Sequence, residues 1–232
     1  MNISSMSVRN KVTFVTVFLV AVAMFATAYS AIFLITNYVE KQATEAQDRN
    51  LRTAAQMLGD NYENLAVEKK GDSLSVSWKG AIPAFEEHAA IDEVGFATGE
   101  TATIFAWDEE SQDFWRRTTN IKKNDGSRAI GTPLGKTGKV YPIITKGETF
   151  RGLATILGKE YFTLYEPIFS ATDKNKVVGI LYVGVGRASI EEIKHDLTVS
   201  LLSVMAVLAA VAIAVAALTV GRLLKPFPVL RE

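Results

Sequence analysis

Residues 101–107 read TATIFAW and residues 177–185 read VVGILYVGV. Both runs are rich in β-branched and aromatic side chains, which predicts strands. Three further runs of this kind lie between them, at residues 114–120, 149–157 and 161–169. The first two strands, and the last three, are close enough in sequence for hairpins, whereas residues 121–148 form one long crossing connection. Residues 99–186 therefore predict an antiparallel sheet of about five strands.

A long helix is predicted on the N-terminal side of this sheet, over residues 36–67. Apolar residues recur there with alternating spacings of four and three, at Leu51, Ala55, Leu58, Tyr62 and Leu65. That spacing is typical of a heptad seam on one helix face, which packs either on its own domain or on a second copy of the chain. A long helix packed on an antiparallel sheet makes an α+β fold.

Shorter elements are expected around these. We expect a strand at residues 74–78, a short helix at 83–91, a loop at 92–100 and a helical segment at 140–146.

Two runs without a single charge flank the whole region, at residues 12–35 and 197–220, each 24 residues long. About 20 apolar residues suffice for a helix to cross a bilayer, so both runs are predicted to be transmembrane helices. Five of the 25 basic residues lie on the short outer segments, residues 1–11 and 221–232. Short basic flanks stay in the cytoplasm, which predicts a two-pass inner-membrane protein with cytoplasmic termini and residues 36–196 outside, in the periplasm or extracellular space.

A cleavable signal peptide is the alternative for the first run. Ala26-Thr27-Ala28 has the small-x-small pattern of a cleavage site, but apolar character continues through Ile35. This continuation favours an uncleaved anchor.

Composition and motifs argue against several functions. With 25 acidic and 25 basic residues the net charge is zero, which gives no electrostatic argument for a nucleic-acid partner. Cysteine is absent, and His88 and His195, the two histidines, have no neighbours at metal-binding spacing. No nucleophile or phosphate-loop motif is present. We therefore expect no enzyme activity, metal or cofactor.

Several segments together resemble the Cache sensor domain of bacterial methyl-accepting chemotaxis proteins, in its single-Cache, Cache 3/Cache 2-like form. They are residues 99–105, 117–121, 125–132, 165–168 and 179–184. Residues 222–226 resemble the first turn of a HAMP linker, although the second proline, Pro228, departs from that pattern. The resemblance implies a PAS-like sheet, a small-molecule ligand, a homodimer and a signalling output domain outside this chain.

The function implied is that of a membrane-anchored extracytoplasmic sensor of a chemoreceptor, with a small organic acid as ligand. Two alternatives stay open. One is a stand-alone, membrane-anchored interaction or modulator protein. The other is the sensor part of a histidine kinase or cyclase.

Strand alternation singles out two arginines as ligand candidates. Alternation puts Phe114, Arg116, Thr118 and Asn120 on one face of their strand and Arg117 on the other. Whichever arginine is buried needs an anion, and a small carboxylate bound bidentately meets that need. The structural alternative is an ion pair with a carboxylate of the fold, namely Asp125, Glu148 or Glu166.

In Cache domains the ligand lies in the hollow of the small sheet, under the loops and helix between its strands. The resemblance therefore implies a ligand site at this hollow, with candidate residues Arg117, Thr119, Arg128, Tyr141, Tyr161 and Thr163.

Overall fold

A computed structural model describes residues 8–71 and 73–223, and it divides into two compact units. One unit combines Met1–Val39 with Glu192–Glu232, and the other is Glu40–Glu191. The expected cytoplasmic N-terminus and HAMP-like linker lie largely outside the described residues.

The first unit is built from parts of two helices, α1 (Val8–Asn61) and α4 (Arg187–Leu223). Both helices are long and apolar enough, by length and composition, to cross a membrane. Large apolar side chains such as Phe25, Leu34 and Leu208 are exposed along them, as expected where lipid replaces water. The predicted membrane boundaries, residues 12–35 and 197–220, stay predictions.

The second unit is a seven-stranded sheet with helices. Its elements are β1 (Leu65–Lys70), β2 (Ser73–Trp78), α2 (Ala89–Thr98), β3 (Thr101–Asp108), β4 (Asp113–Thr119), α3 (Tyr141–Ile144), β5 (Phe150–Ile156), β6 (Lys159–Ser170) and β7 (Val177–Gly186). The strand order is β1-β2-β6-β7-β3-β4, and β5 also pairs with β6. The long β6 holds β5 and β2 along one edge, β5 beside its first half and β2 beside its end. Strand β7 pairs along the other edge of β6.

The α+β fold is confirmed, and all five strands predicted between residues 99 and 186 are present. The sheet is larger than expected because the β1–β2 hairpin joins it. It is also mixed, since β2 pairs with β6 in parallel whereas the other pairs are antiparallel.

The long helix ends at Asn61, six residues before the predicted end. Leu65 belongs to β1, where it pairs with Trp78 across the β1–β2 hairpin. The apolar spacing at Leu65 suits a helix and a strand equally well. The hairpin forms six cross-strand residue pairs, and these stabilise the chain more than one further turn of α1 would. The apolar seam of α1 packs on its own domain, which was the first of the two alternatives: it is buried against the chain's own sheet at Leu51, Ala55 and Leu58.

Helix α2 occupies Ala89–Thr98, so it overlaps the helix expected at 83–91 in three residues only and continues where a loop was expected from residue 92, while the segment from Pro83 to His88 is not helical. The helix stops at Gly99, which adopts the left-handed conformation (φ 70°) and donates its backbone N–H to the carbonyl of Gly95. Glycine at this position is a common helix-stop signal. The prediction was wrong because it assigned Gly99 to the start of the sheet rather than to the end of a helix.

The sheet has an apolar core on each face. On one face α1 and α2 bury Leu58, Ile91 and Val94 against Ile104 and Leu181. On the other face the long connection between β4 and β5 covers the sheet. The core residues there include Phe105, Phe114, Val140, Ile144, Phe150, Tyr165, Ile180 and Tyr182. We call these the helix face and the loop face of the sheet.

Candidate functional site

Strand β4 contains a β-bulge at Arg117. Thr118 pairs with Ile104 and Arg116 pairs with Phe105, and because Ile104 and Phe105 are consecutive, Arg117 is the extra residue. A bulge adds one residue to one strand and breaks the alternation of its side chains.

The bulge explains why the predicted alternation failed within β4. Arg116 lies on the loop face, with its guanidinium carbon 4.8 Å from the centre of the Phe105 ring. Thr118 lies on the helix face, where its Oγ1 is 3.0 Å from Nδ1 of His88 at the start of α2. Arg116 and Thr118 are two residues apart and were expected on one face, but they point to opposite faces.

Arg116 is a buried cation, with only 5% of its surface exposed. Its Nη1 donates a 2.6 Å hydrogen bond to Oγ1 of Thr132, while its buried Nε has no hydrogen-bond partner. No carboxylate forms an ion pair with it within residues 8–71 and 73–223. Burial lowers the pKa of Arg116, because removing a charge from water disfavours the charged form. The site therefore holds a positive charge that the described part of the protein does not neutralise.

A cavity of about 380 Å³ opens beside Arg116 on the loop face. Its apolar walls come from the crossing connection and from β5 and β6, namely Leu134, Val140, Leu153, Ile156 and Tyr165. Its polar groups besides Arg116 include Thr137, Lys139, Thr155 and Glu160. Each water molecule in liquid takes up about 30 Å³, so the cavity has the volume of roughly a dozen waters. A small organic molecule with one anionic end and an apolar part fits this combination of size and chemistry.

The phenols near Arg116 stay neutral. Burial raises the pKa of Tyr165 and of Tyr182, so both side chains keep their protons. The Tyr182 hydroxyl lies 3.0 Å from Oγ1 of Thr101, whereas Tyr165 lines the cavity. Tyr165 therefore offers a neutral hydroxyl group beside the cation.

Four of the six predicted site residues have their polar groups engaged within the fold. The Thr119 hydroxyl lies 2.7 Å from that of Thr103, and the Thr163 hydroxyl donates to the Gly152 carbonyl at 2.7 Å. Arg128 binds both carboxylate oxygens of Asp92 in α2 and also donates to the Thr119 carbonyl. The Arg128 guanidinium holds the pKa of Asp92 below its usual value.

Tyr141, in α3, is the fourth of these residues. The Tyr141 hydroxyl donates to the Gln112 carbonyl at 2.7 Å, and its ring packs on Phe114. Tyr161 packs against the loop-face core, and Arg117 is half-buried at the bulge. None of the six lines the 380 Å³ cavity. A ligand contact for these residues stays a prediction.

Arg116 is the residue that the candidate list lacked. Alternation had already placed one of the two adjacent arginines on a buried face. Arg116 shares the loop face with Phe114, as alternation had it, and lines the cavity, whereas Arg117 is the extra residue of the bulge. None of the three carboxylates considered as internal partners is ion-paired with either arginine among the described residues. Asp125 instead accepts hydrogen bonds from Ser127, and Glu166 accepts one from Thr149.

The described residues hold no group of three or more histidine, aspartate or glutamate side chains arranged to bind a metal ion. Of the two histidines, His88 is half-buried and contacts Thr118. The cavity on the loop face combines a cation, hydroxyl groups and apolar walls.

Comparison with known protein families assigns the chain to one family. The family model described as the Cache 3/Cache 2 fusion domain matches residues 22–200. The chain belongs to the Cache 3/Cache 2 fusion domain family. The resemblance based on short segments of sequence is thereby confirmed, and the chain carries a Cache sensor domain together with two apolar helices.

Among solved structures, this chain is similar to the periplasmic domain of RsbU from Chlamydia trachomatis. The two chains are 11% identical, and the TM-score is 0.43. The match covers 74% of this chain and 56% of the RsbU chain, so this chain spans little more than half of that structure. No curated protein matches the sequence.

Proposed function

We propose that this Cache protein is a membrane-anchored extracytoplasmic sensor of small organic acids that serves as the input part of a bacterial chemoreceptor. Residues 12–35 and 197–220 are its membrane helices, both termini are cytoplasmic, and the chain works as a homodimer. The domain assignment rests on the two uncharged runs and the basic flanks.

One observation carries the choice of ligand. Arg116 is a buried guanidinium without a carboxylate partner among the described residues, and it borders a cavity of about 380 Å³. An unpaired buried charge costs several kcal/mol, and a bound carboxylate removes much of that cost through charge-assisted hydrogen bonds. The apolar walls favour a monocarboxylate with a short carbon chain over a highly charged acid.

Signalling requires that the ligand bind two conformations unequally. The cavity is lined by the crossing connection and by β5 and β6. Strand β7 pairs with β6 and continues at Gly186 directly into α4. Closure of the crossing connection over a ligand therefore acts on the strands beside β7, and β7 leads without a loop into the second apolar helix.

The test uses the full 232-residue chain in detergent micelles or nanodiscs. Thermal unfolding and calorimetric titration are measured with propionate, butyrate and lactate, with propionamide and butyramide as uncharged controls. A carboxylate at 100 times its Kd is expected to stabilise the folded protein by about 2.7 kcal/mol, while the amides have no effect.

Arg116→Met is expected to abolish the carboxylate effect, and Arg117→Met to preserve it. Equal responses to acids and amides, or an undiminished response in Arg116→Met, would show that Arg116 does not bind the ligand. Coupling to chemotaxis is tested by fusing the chain to the signalling domain of a chemoreceptor and recording swimming responses to the active carboxylate. The chemoreceptor assignment is wrong if cells carrying the fusion do not respond to an acid that binds.

A further inference from the structure

The helix face of the sheet has its own cluster of charged groups, separate from the Arg116 cavity. Glu166 of β6 faces α1 there and is only 7% exposed. Thr149 donates a 2.7 Å hydrogen bond to one of its oxygens. Asp48 and Arg52 of α1 and Arg151 of β5 line the same 430 Å³ pocket as Glu166.

Arg151 is already engaged by α1. It binds both oxygens of Asp48, and the Nη2–Oδ1 hydrogen bond measures 2.6 Å. This bidentate pair joins α1 to β5. An ionised Glu166 would compete with Asp48 for Arg151 and would repel Asp48, whereas a protonated Glu166 does neither.

Glu166 has the electrostatic setting of a carboxyl group that gains and loses its proton near neutral pH. The pKa of Glu166 is raised to about 7, mainly by burial and to a smaller extent by nearby Asp48, although Thr149 and Arg151 act in the opposite direction. The nearest residue on β7 in the register is Leu181, which contributes no charge.

A second, half-buried carboxyl group, that of Glu100, contacts α1 at the residue before Asp48. Gln47 donates its Nε2 to Oε1 of Glu100 at 3.1 Å. The remaining oxygens of this pair, Oε1 of Gln47 and Oε2 of Glu100, are buried acceptors without a donor. A proton on Glu100 turns one acceptor into a donor, and a carboxylic acid can then pair with a primary amide through two hydrogen bonds. Burial raises the pKa of Glu100 as well, against hydrogen bonds from Asn50 and Gln47 that lower it.

We propose that Glu166, supported by Glu100, is a proton-binding site that gives this sensor a second input. Acid strengthens the attachment of α1 to the sheet, and alkali weakens it. Gln47 donates to Glu100, Asp48 lines the same pocket as Glu166, and α1 is one continuous helix from Val8 to Asn61. A change in how α1 attaches at these positions is thus a change in the helix that also forms the first apolar segment.

The first measurement is a pH titration of the full chain in nanodiscs by carboxyl-carbon NMR with labelled glutamate, between pH 5 and 9. We expect one glutamate resonance with a midpoint near 7 that disappears in Glu166→Gln. Glu148→Gln, at an exposed position, is the matched control and should leave that resonance in place. If every glutamate titrates below pH 6, the proposal is wrong.

The second measurement reports on the attachment of α1. Because the sequence has no cysteine, spin labels can be placed at Thr53→Cys on α1 and Lys159→Cys at the start of β6 without background labelling. The distance distribution between the labels should broaden as pH rises, with the same midpoint as the NMR signal, and should not change with pH in Glu166→Gln. A distribution that is the same at pH 5 and pH 9 in the parent chain overturns the proposal.

Asp48→Asn provides a variant at a more exposed position. It removes the negative neighbour of Glu166 and frees Arg151, so the midpoint should fall; an unchanged midpoint would contradict the assigned cluster. The site lies on the opposite face of the sheet from Arg116, so the proton response should persist in Arg116→Met. Failure of the anion proposal and failure of this one are therefore distinguishable.

Discussion

Replacing Arg116 by methionine should stabilise the ligand-free protein, although it removes a buried hydrogen-bonded side chain. The desolvation of an unpaired buried charge costs about 4 kcal/mol, and methionine removes that cost. Against this, the variant loses the hydrogen bond to Thr132, worth about 1 kcal/mol, and the cation–π contact with Phe105, worth about 2 kcal/mol. The net expectation is a gain of about 1 kcal/mol. For a protein of 150–250 residues, this corresponds to a rise in Tm of about 2–4 °C.

The assay is thermal unfolding of the full chain in nanodiscs, at low salt and in a buffer free of carboxylates. Arg117→Met is the matched control, because this adjacent arginine is half-buried at the bulge and does not line the cavity. We expect a Tm change below about 2 °C for the control. A loss of 2 kcal/mol or more in Arg116→Met would show that the arginine is neutralised inside the fold. The reasoning that makes Arg116 a ligand-binding residue would then be refuted.

Three further predictions concern the fold. Gly179→Ala should destabilise the protein by about 1–3 kcal/mol in chemical denaturation, because the added Cβ would lie 2.4 Å from a backbone carbonyl oxygen of β3. Gly138→Ala is the control: the nearest atom to its added Cβ is 3.8 Å away, so it should change stability little. The folded-state pKa of Glu166 lies above its unfolded value, so the contribution of Glu166 to the free energy of unfolding is complete at low pH and is lost as pH rises. The free energy of unfolding should fall by up to about 3 kcal/mol as pH rises from about 4.5 to just above 7. The pH profile of Glu166→Gln should be flatter. Arg128→Lys should lower the free energy of unfolding by about 1 kcal/mol at neutral pH, since the bidentate contact with Asp92 is lost. That contact lowers the pKa of Asp92, so the difference in stability from the parent should shrink as pH falls below about 4. An equal loss at pH 3 and pH 7 would contradict this role.

The strands were predictable because their residue types and hairpin spacings are local properties of the sequence. The end of α1 was not, since Leu65 suits a helical seam as well as a strand. Its pairing with Trp78, 13 positions further along, decides between them. The parallel pairing of β2 with β6 joins residues about 90 positions apart, and no local pattern encodes such a contact.

The candidate site was predictable in kind but not in detail. The need for an anionic partner follows from two arginines in a strand, whichever of them is buried. The choice between Arg116 and Arg117 depends on which face of β4 borders the cavity, and the packing of the crossing connection sets that, not β4 alone. Arg128 was a reasonable candidate from its loop position, but its charge is bound by Asp92, which was assigned to a loop and in fact lies in α2.

The bulge at Arg117 also bears on what a change in chain length would do to this strand. Because Arg116 pairs with Phe105 and Thr118 with the neighbouring Ile104, deleting the codon for Arg117 would leave a regular ladder with both side chains on their present faces. One residue could therefore be lost from β4 without turning any of its neighbours to the other side of the sheet.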